Sequence, residues 1–296
     1  KKSASRLAGG IALALALLLA TPTASAGNGK NALANLPKDT AMVFAMNVDR
    51  VKKSPLFQDV VQLAKKNPDL AKGMDLLKAE AAFDVTRDVQ TFVVGLAADF
   101  DKSDKGVFLM EGKFNAKKFV AFAKKNAKSI NIGKHRAVDY YTIDGEAEVA
   151  FLGKFIALCP KGMMPSVIDV YKGKAASITK NRLFMSKFAD TNISKDFWAV
   201  FLLPAEIKKQ MSPQLGGNSI DAMMAAVDVQ KGLATDIRLA ASSVAGAQAI
   251  VNMVKMGIGA AIGVAAVVVS ALTVLPIMIG ALSKWLRPSK AEHVRP

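Results

Sequence analysis

The spacing of apolar and polar positions changes several times along residues 42–143, and each change marks an element. Ala41-Met-Val-Phe-Ala-Met-Asn-Val-Asp49 is an apolar run between polar ends, the pattern of a buried strand. Ser54-Pro55 supplies an N-cap and a proline at the first helical position, where a missing N–H costs nothing. Leu56, Phe57, Val60, Val61 and Ala64 then share one helical face. Asn67-Pro68 ends that helix and opens another, with Asp69 in its first turn and Leu70, Met74 and Leu77 inward. Residues 83–88 read as a turn and residues 89–98 as a strand. Gly106-Val-Phe-Leu-Met-Glu-Gly112 is its hairpin partner across a polar loop. Asn115 caps a helix carrying Phe119, Val120, Phe122 and Ala123, and residues 136–143 close the unit as a strand. This order is that of a ferredoxin-like split βαβ unit, an antiparallel sheet with helices on one face.

A meander follows. Asp144-Gly145 is a strong two-residue hairpin signal. Gly153-Lys154 makes the next turn before Phe155-Ile-Ala-Leu-Cys159, and helices are expected near residues 165–171 and 179–188. Trp198-Ala-Val-Phe-Leu-Leu203 then echoes the first strand. A short helix near 205–210, strands at 223–229 and 233–242, and Ile250-Val-Asn-Met-Val-Lys255 repeat the earlier order. The fold class expected is α+β, with two degenerate ferredoxin-like (βαββαβ) units and a β-meander extension. Residues 36–192 form the first unit with its meander and helices, and residues 193–255 a shortened second one.

Both ends are apolar. Lys1, Lys2 and Arg6 precede a short apolar core at residues 7–20, and Ala24-Ser25-Ala26 has the small-x-small form of a cleavage site. Residues 1–26 therefore read as a signal peptide, with an uncleaved anchor as the alternative, and residues 27–35 as a polar linker. Residues 256–283 are almost wholly apolar between Lys255 and Lys284. As a helix they span about 42 Å, more than the ~30 Å hydrocarbon core of a bilayer. They read as a transmembrane helix that anchors an exported, periplasmic body to the cytoplasmic membrane. The basic tail 284–296, with Trp285, Arg287 and Lys290, then lies on the cytoplasmic side. A buried core helix or a shifted reading frame is the alternative. Gly259 and Gly263 have the small-xxx-small spacing of a membrane-helix packing face, which suggests a homodimer.

Charge and chemistry narrow the function. The formal charge is +16, and removing Lys1, Lys2 and Arg6 leaves +13. Such a chain is drawn to anionic lipid, acidic polysaccharide or nucleic acid, and export sets nucleic acid aside. Lys113, Lys117, Lys118, Lys124, Lys125 and Lys128 crowd one helix and its approaches and are the candidate anionic-surface residues. No catalytic constellation emerges. His135 and His293 are the only histidines, and no Gly-x-Ser-x-Gly elbow occurs. His135 near Asp139 reads as a surface strand residue rather than part of a triad. Asp99, Asp101 and Asp104 do not continue as an EF-hand, and neither metal nor cofactor is expected. Cys159 is alone, so no intrachain disulfide forms, and its apolar neighbours suggest a core residue.

Leu36-Pro-x-Asp39-Thr40, the following strand, Ser54-Pro-Leu-Phe57 and Phe83-Asp-x-x-x-Asp88-Val89 together carry a resemblance. From about Leu36 to Val120 the chain resembles a group of exported bacterial proteins of unknown function built of repeated α+β units. The resemblance implies an envelope location and no activity. The resulting reading is a non-enzymatic, exported, membrane-anchored envelope protein with a binding or structural role. The alternative is a carrier or sensor of an apolar small molecule or lipid held between sheet and helices.

Two outcomes follow from the ends. N-terminal sequencing of the exported protein should begin at Gly27, and a retained Lys1 would contradict the signal peptide. The full chain should resist carbonate extraction from membranes, whereas its release would rule out the span at 256–283.

Overall fold

The structure, a computed structural model, describes residues 29–66, 68–99 and 105–255. The expected signal peptide at 1–26 and membrane helix at 256–283, with Gly259 and Gly263, lie outside them. Among the described residues no helix is long and apolar enough to cross a membrane.

The apolar runs form the strands β1 (Thr40–Asn47), β2 (Val89–Ala97), β3 (Gly106–Gly112), β4 (Ile130–His135), β5 (Val138–Ile143), β6 (Ala147–Leu152), β7 (Phe155–Pro160), β8 (Phe197–Leu202), β9 (Ile220–Asp228) and β10 (Ala234–Ala241). They make one ten-stranded sheet in the order β10-β9-β8-β1-β2-β3-β7-β6-β5-β4, antiparallel at every pairing. The helices are α1 (Val48–Val51), α2 (Pro55–Lys66), α3 (Pro68–Glu80), α4 (Val85–Asp88), α5 (Ala116–Asn126), α6 (Met164–Tyr171), α7 (Arg182–Ala189), α8 (Ala205–Met211) and α9 (Val244–Lys255). The architecture is therefore mixed α+β around a large antiparallel sheet.

Strand order corrects the ferredoxin-like expectation. In a split βαβ unit, strands joined through a helix run parallel. Here β1 and β2 pair directly and antiparallel, with Asn47 opposite Thr91, so the helical connection α1–α4 returns the chain to the end it left. β8 and β9 do the same across α8, with Leu202 opposite Ala222. The two halves meet where β1 pairs β8, Val43 opposite Val200, and merge into one sheet.

Helices cover both faces rather than one, because the strands are apolar on both sides. Side chains alternate across a sheet. Val43, Ala45, Val93, Leu109, Trp198 and Val200 point to the first face, under α6, α7 and a 3-10 turn at Lys30–Asn35. That turn corrects the expected linker at 27–35: its Ala32 and Leu33 are buried in the first-face core. Gly29 precedes it at φ 79°, where an added Cβ would lie 3.0 Å from Ala45 and 3.2 Å from Trp198. On the second face, Met46, Val149 and Ile156 pack with Leu77 of α3, Phe57 of α2, and Phe119 and Phe122 of α5. A third cluster, Leu203, Leu215 and Ile220, joins α8 and α9 to the sheet through Met211, Ala249 and Ile250.

A buried carboxylate bolts the two halves together at one end of β1 and β8. Asp196 is fully buried. It accepts from Arg50 Nε at 3.0 Å, Gln230 Nε2 at 2.7 Å and the Val229 amide at 2.6 Å. Its carbonyl accepts from the Asn47 amide at 2.8 Å. Arg50 and Lys195 also reach Asp228, whose carboxyl sits below the usual range through the Gln230 amide and then Lys195. Asp196→Ala orphans the buried Val229 amide and removes one partner of Arg50. The loss expected is about 3 kcal/mol, the lower end for a broken buried pair because Arg50 is partly solvated. Urea unfolding measures it, and a change below about 0.5 kcal/mol would contradict the bolt.

Candidate functional site: the lysine face of α5

α5 is placed by its cap and by its aromatic underside. Asn115 adopts extended backbone and its Oδ1 accepts the Lys118 amide at 3.1 Å. Phe119, Phe122 and Ala123 are buried against the second face. Phe119 packs edge-on to Phe83 at 4.9 Å and lies 6.1 Å from Phe151. With that stripe inward, helical spacing turns Lys117, Lys118, Ala121, Lys124 and Lys125 outward. All five are exposed, as are Lys113 before the helix and Lys128 beyond its Ala127 C-cap.

The lysines are not equivalent. Lys125 is engaged by Glu80 of α3, Nζ to Oε1 at 2.6 Å, so it leaves the open set that the sequence proposed. Lys113, Lys117, Lys118, Lys124 and Lys128 have no acidic partner among the described residues. Position on the helix matters too. Lys124 and Lys125 lie in the last turn, where the helix dipole favours cations. Lys117 and Lys118 lie in a first turn with no acidic residue, where the dipole opposes them by about 0.3–1 kcal/mol each. Helix stability therefore does not account for that pair.

A shallow groove of about 320 Å³ runs beside the helix, lined by Ala116, Lys117, Val120, Ala121, Lys124 and Tyr141. Lys117 and Lys124 are two turns apart, roughly 10 Å along the axis. Two cations thus flank a floor of small apolar side chains, closed by the Tyr141 ring of β5, which packs on Phe151. This geometry suits an anionic head with apolar atoms behind it. Tyr141 was not singled out from the sequence, since only the meander brings it beside α5. A second depression, about 410 Å³, lies between Pro37, Lys38, Asp39, Ser166 and Val170, and few charges converge there.

Among the described residues the other reactive side chains are engaged or buried, one Glu111 oxygen excepted. His135 does not face Asp139; its Nε2 lies 2.7 Å from Asp169 of α6. Arg136 also binds Asp169, and this guanidinium, then His135, holds the carboxyl below the usual range. Cys159 is buried, and burial followed by the charge of Glu148 pushes its thiol far above the ordinary value. Glu148 itself accepts the Met164 amide of α6 at 2.9 Å. Glu111 pairs with Lys154, and its second oxygen has no partner among the described residues. No three metal-ligating side chains converge among the described residues.

No known family model matches the chain, and no curated protein does. Three solved structures, crystal forms of TP0453, are similar to it. Form III gives a TM-score of 0.46 at 9% identity, covering 70% of this chain and 78% of that one. Form I gives 0.42 at 8%, covering 70% and 77%, and form IV 0.42 at 10%, covering 70% and 79%.

Proposed function

We propose that this is an exported, membrane-tethered envelope protein whose body rests against an anionic surface through the lysine face of α5. The role is binding or structural rather than catalytic. One observation carries the reading: open lysines at positions 113, 117, 118, 124 and 128 border an apolar-floored groove, and two of them sit where the helix dipole disfavours cations. A nearby anionic surface offsets that cost. The recurring strand–helix–hairpin–helix order about the β1–β8 pair supports two related units. The signal peptide and C-terminal anchor belong to this proposal and rest on the sequence patterns alone.

The test uses a chain of residues 27–255, so that the apolar C-terminal run does not dominate partitioning. Each lysine near an anionic surface contributes roughly 1 kcal/mol. Changing Lys117, Lys118 and Lys124 together to Gln should therefore weaken binding to vesicles rich in phosphatidylglycerol roughly 100-fold. Binding should also fall with salt, since screening acts over ~8 Å at physiological ionic strength. Equal binding to neutral and anionic vesicles would overturn the proposal.

A further inference from the structure

The sheet has two edges among the described residues, β4 and β10, and they are built differently. Unpaired edges invite pairing with another chain, and proteins blunt them with charged side chains, proline, bulges or short length; β10 carries one charge of each sign, Asp236 and Arg238, and its register shifts only at its end, between Ala240 and Ala241. β4 is six residues long and carries Lys134. It ends in a sharp turn whose His135 and Arg136 are fastened to Asp169. β10 is eight residues, Ala-Thr-Asp-Ile-Arg-Leu-Ala-Ala, with neither lysine nor proline. Its register with β9 is regular from Ala234 to Ala240.

The β10 sequence is complementary to itself. Two antiparallel copies related by a two-fold axis at Ile237 place Asp236 of each opposite Arg238 of the other. Thr235 then faces Leu239, and Ala234 faces Ala240. Asp236 and Arg238 share the first face of the sheet and are already paired at 2.9 Å within one chain, both still about half exposed. The copies would join these pairs into a four-charge ladder, while Ile237 meets Ile237 on the second face. Cross-strand opposite charges and aliphatic pairs stabilise such a ladder, and like charges oppose it. Moving the axis to Asp236 or to Arg238 would set like charges face to face, and moving it to Thr235 or Leu239 would leave the charges without cross-strand partners, so the axis at Ile237 is the register that pairs both.

We propose that the protein dimerises edge to edge through β10, continuing the sheet across the two-fold axis. The interface is isologous, each copy offering the same strand. It is separate from any contact at Gly259 and Gly263, and it holds whether or not the lysine face meets lipid.

Cysteine cross-linking of the full chain in detergent tests this. At the axis the two copies of residue 237 would have Cα atoms about 4.5–5.5 Å apart, within the span of a disulfide. The buried Cys159 adds no background. Ile237→Cys should give a covalent dimer on mild oxidation. Val244→Cys, 90% exposed but off the strand, should not. Asp236→Arg and Arg238→Asp should each abolish the cross-link when added to Ile237→Cys. Mixing the two should restore it as a heterodimer, because the charges are again opposite. An Ile237→Cys chain that stays monomeric on oxidation would overturn the proposal. So would cross-linking equally efficient at Val244→Cys, or unchanged by the charge substitutions.

Discussion

The antiparallel pairing of β1 with β8 is the contact on which the rest of the structure depends. It joins Met42 to Phe201 and Met46 to Phe197, partners about 150 residues apart in the chain. Closing a loop of that length costs entropy before any side chain is buried. The return comes from both faces at once: Trp198 and Val200 enter the first-face core, while Phe44 and Phe197 approach within 6.1 Å on the second. Asp196 then fixes the joint end-on, tying the turn after β1 to the start of β8 and the end of β9. Without this pairing the chain would form two smaller sheets, each with an extra open edge.

From that joint the two proposed surfaces follow by position. The second face of β1, β7 and β6 is aromatic and aliphatic, and it takes up Phe119 and Phe122 of α5. Their burial fixes the rotation of the helix and leaves the lysines no direction but outward. The meander brings Tyr141 alongside and closes the groove between Lys117 and Lys124. At the far end of the same sheet, β10 is left as an edge whose charges answer one another. One long sheet thus separates a basic surface near one end from a self-complementary edge at the other.

Much of this was legible in the sequence, and the exceptions have physical causes. Ser54-Pro55 and Asn115 gave correct helix starts because capping is local: Ser54 Oγ accepts the Phe57 amide and Asn115 the Lys118 amide. Asp144-Gly145 gave the β5–β6 hairpin because both residues need positive φ, and they adopt 52° and 73°. β4 is not legible for the converse reason. Its turn uses Arg136 and Ala137 at φ 47° and 61°, residues that no turn rule selects. Such conformations cost about 1–3 kcal/mol each, and Asp169 holds the residues on either side of the turn start, His135 and Arg136. Strand order is not legible in the sequence because element order says nothing of pairing: β2 returns beside the end of β1 that the chain left. The lysine face was readable from spacing alone. The engagement of Lys125 by Glu80, 45 residues distant, was not.

Whether α5 faces an anionic surface is read most directly by a probe on the helix. Ala121 is exposed between Lys117 and Lys124, whereas Ser186 is exposed on α7 over the opposite face of the sheet. Each is replaced by cysteine in turn in a chain of residues 27–255 and labelled with an environment-sensitive fluorophore, Cys159 being buried away from the label. Lipid-borne quenchers in phosphatidylglycerol vesicles should quench the label at Ala121→Cys and spare the one at Ser186→Cys, with neither quenched in neutral vesicles. Equal quenching at both sites, or quenching only at Ser186→Cys, would contradict the account.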